Sequence, residues 1–373
     1  MPTSSADRGD ARLRLVDRYI GIPLVFLLGL RPKRRRLPPF SVLGLLQTAA
    51  IGDTVLMSGI LPDIRRSYPK AQIILFSGSS NYQMGRLLPG VDEVVPLNIN
   101  NPIAAVRLLR SRRVEVLCDF GPWPRINAIC SALSGARFLI GFRTPGEHRH
   151  YAYDQAVEHS RRVHELENQR ALVKALGVES HSLPQLSVAA RLPQVLSPKK
   201  YIVFHPWPAG YRSYLKEWPQ EHWLELAARV GQLGCQIVIT GGPSDRRRAE
   251  QVRERLAARV ASPVLNLAGQ TALAETIRML QDAAAVVSVN TGIVHLASAV
   301  GTPVISLNGP TNAARWGPLG SASISVNAEG PDCGYLHLGF EYEGHREDCM
   351  ASIEPDRVFE ALVGLLCSEE RVR

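Results

Sequence analysis

V-N-T-G-I-V-H-L-A-S-A-V-G-T-P-V-I-S-L-N-G-P-T-N-A-A-R-W-G-P, residues 289–318, sets two polar, glycine-containing turns at the ends of two successive apolar strands. The first strand spans 284–289, and its turn Asn290-Thr291-Gly292 opens an apolar helical run over 293–300. Backbone N–H groups and the positive end of the helix dipole therefore face whatever sits in that turn. The second strand, 303–307, ends in Asn308-Gly309-Pro310-Thr311. Strand, turn, helix, strand and turn make a βαβ pattern, and in open α/β sheets ligands bind where such loops gather at the carboxyl ends of strands. The expected ligand is phosphorylated.

Working back from there, a strand at 201–204 runs into H-P-W-P-A-G-Y-R-S-Y-L-K-E-W-P, where His205, Arg212 and Lys216 offer cationic or polar groups. Lysine meets phosphate as a mobile point charge, and arginine can grip it with two N–H bonds. Trp218 and Trp223 read as core. Strand 236–240 enters Gly241-Gly242-Pro243-Ser244-Asp245, a third turn, and N-L-A-G-Q-T at 266–271 is a fourth. Helices are expected over 221–231, 246–260, 273–281 and 354–366, the last with Pro355 in its first turn. Four loops on one sheet edge suit a nucleoside diphosphate. His295 is read either as a neutral imidazole donating to a phosphate or as a packing residue. Arg315 and Trp316 either close the nucleotide pocket or cap their loop.

The first half carries continuous apolar runs at 41–46, 72–76, 93–97, 114–119 and 138–141. Continuous rather than alternating apolar runs mark strands of a parallel sheet covered on both faces. Helices are expected over 54–67, 102–112 and 127–133. Asp53, in A-A-I-G-D-T-V-L-M, reads as an N-cap or as a working carboxylate at the end of the first strand. Arg143, His148 and Arg149, with His150, His159, Arg161, Arg162 and His164 beyond them, suit an anionic acceptor or form a solvated basic face. Proline-rich 181–200 separates the two halves.

A chain of 373 residues exceeds one ordinary core. The divisions expected are an arm over 1–40, a Rossmann-like domain over 41–185, a second over 198–353, and a C-terminal helix and tail over 354–373. Of a net charge of +9, six charges fall in the first forty residues, which hold nine Arg/Lys against three Asp. Within that arm an apolar run at 20–30, too short to cross a bilayer, precedes R-P-K-R-R-R. It suits the surface of an anionic membrane, or else it is a leader or packing arm. The remaining +3 gives no footing for nucleic acid. Six scattered cysteines without C-x-x-C point to a reducing compartment rather than a disulfide scaffold. Cys333, His337, His345 and Cys349 fit no standard zinc spacing and are read as an ordinary loop. No metal site and no cofactor are expected.

Neither G-x-G-x-x-G nor a P-loop follows the first strand, and D-x-D is missing throughout, so the protein itself must neutralise a diphosphate. At this point the motifs G-D at 52–53, K-E-W-P at 216–219, T-G-G-P at 240–243, N-L-A-G at 266–269, N-T-G-I-V-H-L-A at 290–297 and N-G-P-T-N-A-A-R-W-G-P at 308–318 resemble glycosyltransferase family 9. The resemblance covers about 41–366. It implies a GT-B fold, two Rossmann-like α/β domains facing a central cleft, with acceptor on the first and nucleotide-sugar on the second. It implies inverting, metal-independent transfer of heptose from ADP-heptose to a lipopolysaccharide core or related glycan.

By resemblance Asp53 matches the catalytic base, Lys216 the lysine on the donor diphosphate, and Thr291, Gly292 and His295 the phosphate turn. Arg212, Gly242, Ser244, Asp245 and Asn290 complete the expected donor contacts, and Arg143, His148 and Arg149 the acceptor contacts. The partners implied are the nucleotide-sugar and a lipid-linked acceptor, with the enzyme peripheral at the cytoplasmic face of the inner membrane. The alternatives are a transferase or epimerase using another nucleotide-sugar, or a non-catalytic sugar-nucleotide-binding protein. Where the family commonly carries aspartate before Thr-Gly, this chain carries Asn290.

Overall fold

The computed structural model describes residues 17–339, 341–342 and 345–372, and the chain divides into two compact units, Met1–Pro184 and Gln185–Arg373. The first sixteen residues of the basic arm, Arg8, Arg12 and Arg14 among them, lie outside the described residues.

In the N-terminal unit β1 (Val42–Gln47), β2 (Gln72–Ser77), β3 (Glu93–Pro96), β4 (Val116–Asp119), β5 (Phe138–Arg143) and β6 (Gln155–Glu158) form one sheet in the order β3-β2-β1-β4-β5-β6. Every pairing is parallel. The apolar runs are continuous because helices cover both faces: Leu43, Leu45, Leu46, Ile73, Leu75 and Phe76 are all buried. The helix expected over 54–67 is instead two, Ile51–Met57 and Leu61–Ser67, with Pro62 in the first turn of the second. Proline has no N–H to continue the first helix but fits the start of the next. Edge strand β6 escaped the sequence reading because Q-A-V-E is short and half polar.

The C-terminal unit repeats the plan. Strands β7 (Tyr201–His205), β8 (Gln236–Ile239), β9 (Val264–Asn266), β10 (Ala285–Val289), β11 (Val304–Asn308) and β12 (Ser323–Asn327) lie in the order β12-β11-β10-β7-β8-β9, again all parallel. Counting within each unit, both sheets run 3-2-1-4-5-6, the doubly wound order in which the chain reverses direction between the first and fourth strands. Trp218 and Trp223 are buried as expected, their rings 5.0 Å apart, and Trp218 donates to the Ile353 carbonyl at 2.8 Å.

The described part of the arm, 17–40, follows the packing alternative, with Val25 buried and Arg31 paired with Asp154 at 2.7 Å. The closing helix Pro355–Val372 is likewise no appendage: Val358, Leu362 and Leu365 are buried in the same cluster as Trp223 and Leu224. And Cys333 is disulfide-bonded to Cys349, Cα atoms 5.7 Å apart, against the reading of six free thiols. Neither sulfur is then available as a thiolate ligand, while His345 stacks on Tyr335 at 4.3 Å. Replacing Leu362 with alanine should lower unfolding free energy by about 2–5 kcal/mol in urea titration. A change within experimental error would mean that the last helix is dispensable to this core.

Candidate active site

In the C-terminal unit the carboxyl ends of β7 and β10 lie side by side, with Ser288 opposite His205. This is where the connections part to opposite sides of the sheet and leave a crevice. From β10 the chain turns through Asn290, Thr291 and Gly292. Thr291 caps the helix Gly292–Ala299, its hydroxyl accepting the Ile293 N–H at 3.2 Å. The turn thus stands at the positive end of a helix dipole. Asn290 braces it: Nδ2 donates to Asn308 Oδ1 (2.7 Å), the Trp316 carbonyl (2.9 Å) and Ser306 Oγ (3.2 Å). The Asn290 amide therefore ties the ends of β10 and β11 together. His295 is buried in the first turn of the same helix.

The connection after β7 carries the cations. Arg212 adopts a left-handed conformation, φ 48°, just before the short 3₁₀ turn Ser213–Lys216, and lies 4.0 Å from Glu347. Buried Leu215 anchors that turn against Tyr335, Leu336, Tyr342 and Cys349, so the disulfide-closed loop supports the segment bearing Lys216. Lys216 is half-buried, with Nζ 3.4 Å from the Ala209 carbonyl. His205, read with them as cationic or polar, is the polar one of the three. It is buried, its Nδ1 sits 2.9 Å from Thr240 Oγ1, and burial pushes its pKa down to about 4.

Flanking turns complete the edge. The half-buried Asp245 carboxylate accepts the Gly242 N–H at 2.8 Å, while Ser244 is exposed. Gly269, at φ 64°, donates its N–H to the Gly241 carbonyl at 3.0 Å, and a Cβ there would come within 2.6 Å of Pro243 Cα. Only glycine lets the turns after β8 and β9 close on each other. Buried Arg315 and half-buried Trp316 both donate to the His337 carbonyl, at 3.0 and 3.1 Å, so they cap their loop.

The N-terminal unit has its own switch point, between the carboxyl ends of β1 and β4. After β1, Ala50 takes φ 59° and ψ 130°, a region that non-glycine residues rarely occupy. The segment is held there from several sides. Asn81 Nδ2 donates to the Gln47 carbonyl and to Thr54 Oγ1, both at 2.8 Å, and Asn127 Nδ2 donates to Thr48 Oγ1 at 2.9 Å. Gly78 lies so close to the Thr48 carbonyl that a Cβ would stand 2.1 Å away. The helix Ile51–Met57 begins from Ala50, so Asp53 is not its N-cap but a half-buried first-turn residue, its carbonyl accepting Gln169 Nε2 at 2.9 Å.

The expected acceptor residues part company. Arg143, ending β5, and His148, at φ 57°, are exposed. Arg149 is fully buried and is not a ligand contact: its guanidinium pairs with Asp119 at 2.6 Å and donates to the carbonyls of Gly121 and Pro124. The Tyr153 hydroxyl also meets Asp119 at 2.7 Å, and Gly121 N–H donates to its other oxygen at 2.9 Å. This network locks the loop after β4. Its signal in the sequence was the charged residue ending an apolar run, Asp119, whose partner lies thirty residues on. His159 is buried too, 3.1 Å from the Glu165 carboxylate. His150 is pushed below its ordinary pKa by burial and by Arg143, His148 and Lys33 nearby.

Two doubly wound units in one chain, each with loops gathered at a switch point, make up the GT-B fold. The family model described as glycosyltransferase family 9 (heptosyltransferase) matches residues 127–333, over half of the sequence, and the chain belongs to that family. It is 32% identical over 153 residues to lipooligosaccharide heptosyltransferase 2 of Haemophilus ducreyi, covering 40% of this chain and 44% of that protein. The chain thus spans less than half the length of that relative. It is 25% identical over 346 residues to lipopolysaccharide heptosyltransferase 2 of Salmonella typhimurium, covering 86% and 97%. In fold it resembles Escherichia coli heptosyltransferase WaaC solved with ADP, TM-score 0.70 at 21% identity, covering 87% of this chain and 99% of that one.

An unfolded histidine titrates near pH 6.5 and folded His205 at about 4, so folding disfavours its protonated form. Its contribution is intact above pH 6.5 and falls as pH drops, by about 2 kcal/mol at pH 5. Urea titrations at pH 7 and pH 5 should show that His205→Gln, which lacks the titrating ring, loses this part of the acid destabilisation. An identical pH slope in variant and wild type would contradict the assignment. Arg149→Leu, which leaves Asp119 buried and unpaired, should cost about 3–5 kcal/mol in the same titration.

Proposed function

We propose that the protein is an inverting, metal-independent heptosyltransferase that moves heptose from ADP-heptose to a lipopolysaccharide core or related glycan. The observation that carries this reading is the placement of the two motif residues. Asp53 follows β1 and Lys216 lies on the connection after β7, so each belongs to the segment that leaves the first strand of its doubly wound unit. The names of the relatives, heptosyltransferases from several bacteria, support the donor and acceptor class.

In this reading the donor diphosphate lies against the amides of Thr291 and Gly292, with Lys216 and Arg212 supplying positive charge. His295, buried in the first turn of the same helix, donates an imidazole N–H to a phosphate oxygen. The chain supplies this neutralisation itself, which suits transfer without a carboxylate-held cation. An acceptor hydroxyl attacks the anomeric carbon from the face opposite ADP, a new C–O bond forms as the bond to the diphosphate breaks, and the hydroxyl proton passes to Asp53. Attack from the opposite face inverts the anomeric centre. A carboxylate is a weak base at neutral pH, so positioning and stabilisation of the departing diphosphate carry most of the acceleration. Arg143 and His148, both exposed, are the acceptor-side residues that remain once Arg149 is assigned to the fold.

Among the described residues no helix is long and apolar enough to cross a membrane. In this reading a lipid-linked acceptor and a water-soluble donor meet at the cytoplasmic face of the inner membrane, where the enzyme is peripheral.

With ADP-heptose and a lipid A–core acceptor, ADP should be released undiminished in EDTA. Asp53→Asn should lower turnover by about 100-fold or more while ADP still binds. Lys216→Ala should lower kcat/KM by a similar factor and weaken ADP binding. Turnover retained in Asp53→Asn, or preference for a UDP- or GDP-sugar over ADP-heptose, would overturn the assignment.

A further inference from the structure

The segment before β1 is fixed to the N-terminal unit along one narrow strip. Gly21, Val25 and Gly29 recur at helical spacing on that side. Val25 is fully buried, a Cβ at Gly29 would stand 2.4 Å from the Tyr151 carbonyl, and one at Gly21 would stand 3.2 Å from the Arg125 side chain. Both ends are pinned by charge, Asp17 to Arg125 and Arg31 to Asp154 at 2.7 Å. The helix Ile22–Leu28 therefore has a set orientation, and it turns apolar side chains outward.

Tyr19 (71% exposed), Ile20 (61%), Leu24 (37%), Phe26 (48%), Leu27 (61%) and Leu30 (66%) make up half of the large apolar side chains exposed among the described residues, within twelve consecutive positions. A concentration of this kind on one face marks an interaction surface. Its border is cationic. Lys33, Arg34, Arg35 and Arg36 follow at once and are all exposed. Lys33 Nζ lies 3.4 Å from the His150 carbonyl, and the exposed His148 stacks 6.4 Å from Tyr151, the ring that Phe26 meets edge-on at 5.3 Å. Apolar patch and cations thus share one side of the unit.

We propose that residues 19–36 dock this unit on the surface of an anionic bilayer, the short helix lying in the interface with its apolar side chains below the headgroups and Lys33 to Arg36 against headgroup phosphates. Seven helical residues cannot span the membrane but suit an in-plane contact, to which juxtaposed Lys and Arg add attraction for anionic lipid. Four consecutive like charges beside the patch oppose a second copy of the same face and favour a surface of fixed negative charge. The element lies outside the family match at 127–333, and its binding is independent of which sugar is transferred.

The test is co-sedimentation of the full chain with phosphatidylcholine vesicles, with and without phosphatidylglycerol. Wild type should pellet with the anionic vesicles, less so as salt is raised. Leu24→Ser/Phe26→Ser/Leu27→Ser should weaken the partition at least about tenfold, and Arg35→Gln/Arg36→Gln should weaken it on anionic vesicles only. Thermal melting and ADP binding at wild-type values verify folding; the arginine pair, outside the helix, decides the matter if the triple variant melts early. Equal binding to neutral and anionic vesicles, or variants that pellet like wild type, would overturn the proposal. So would a wild-type dimer in sedimentation velocity that the triple variant converts to monomer, since a second copy would then cover the face.

Discussion

A parallel sheet must satisfy its backbone hydrogen bonds through crossovers that return over one face or the other, and the point where the crossovers change face cannot be covered by either set. Both units here obey that constraint with the same strand order. The crevice between the first and fourth strands follows from the winding, whatever the side chains around it. Everything assigned to chemistry in this chain lies on the loops and helix starts that follow those two pairs of strands or the strands beside them, and the rest of each unit holds them in place.

The two crevices are furnished differently. In the C-terminal unit the turn after β10 offers amides at a helix N-terminus, Asn290 ties that turn to β11, and the connection after β7 adds Lys216 and Arg212. Neutral, buried His205 contributes packing and a hydrogen bond to Thr240 rather than charge. In the N-terminal unit the emphasis falls on constraint. Ala50 is kept in a rarely occupied backbone conformation by Asn81, Asn127 and the close approach of Gly78, and Asp53 follows three residues later. Strain of this sort costs on the order of 1–3 kcal/mol and persists only where the surroundings over-determine it. Its position beside the candidate base fits a site that needs the carboxylate held in one place.

The central strands were legible in the sequence because burial on both faces leaves unbroken apolar runs, and the turns were legible because glycine, asparagine and proline cluster at their ends. The edge strands β6, β9 and β12 were not. They are short, and a strand paired on one side only keeps polar residues. The turn that opens the helix after β10 could be read from Thr291 and Gly292 alone, since a helix N-terminus is a local feature. Arg149 could not, because R-H-R-H-Y looks like a solvated basic face until Asp119 is brought against it from another strand. The pairing of Cys333 with Cys349 was hidden for the same reason. Residues whose role depends on a partner far along the chain are the ones that local pattern misassigns, and in this chain they include one expected acceptor contact.

The outward apolar face of the N-terminal helix inverts the usual pattern, in which a surface helix buries its apolar stripe, and it does so beside the densest run of positive charge in the sequence. That juxtaposition gives the arm a role that the catalytic loops do not require.

Hydrogen–deuterium exchange on the full chain with ADP alone tests most directly whether the nucleotide belongs to the C-terminal crevice. Slowed exchange should concentrate in peptides covering 206–216 and 290–296, with little change over 48–56. Protection confined to 48–56, with the C-terminal turns unchanged, would contradict the account.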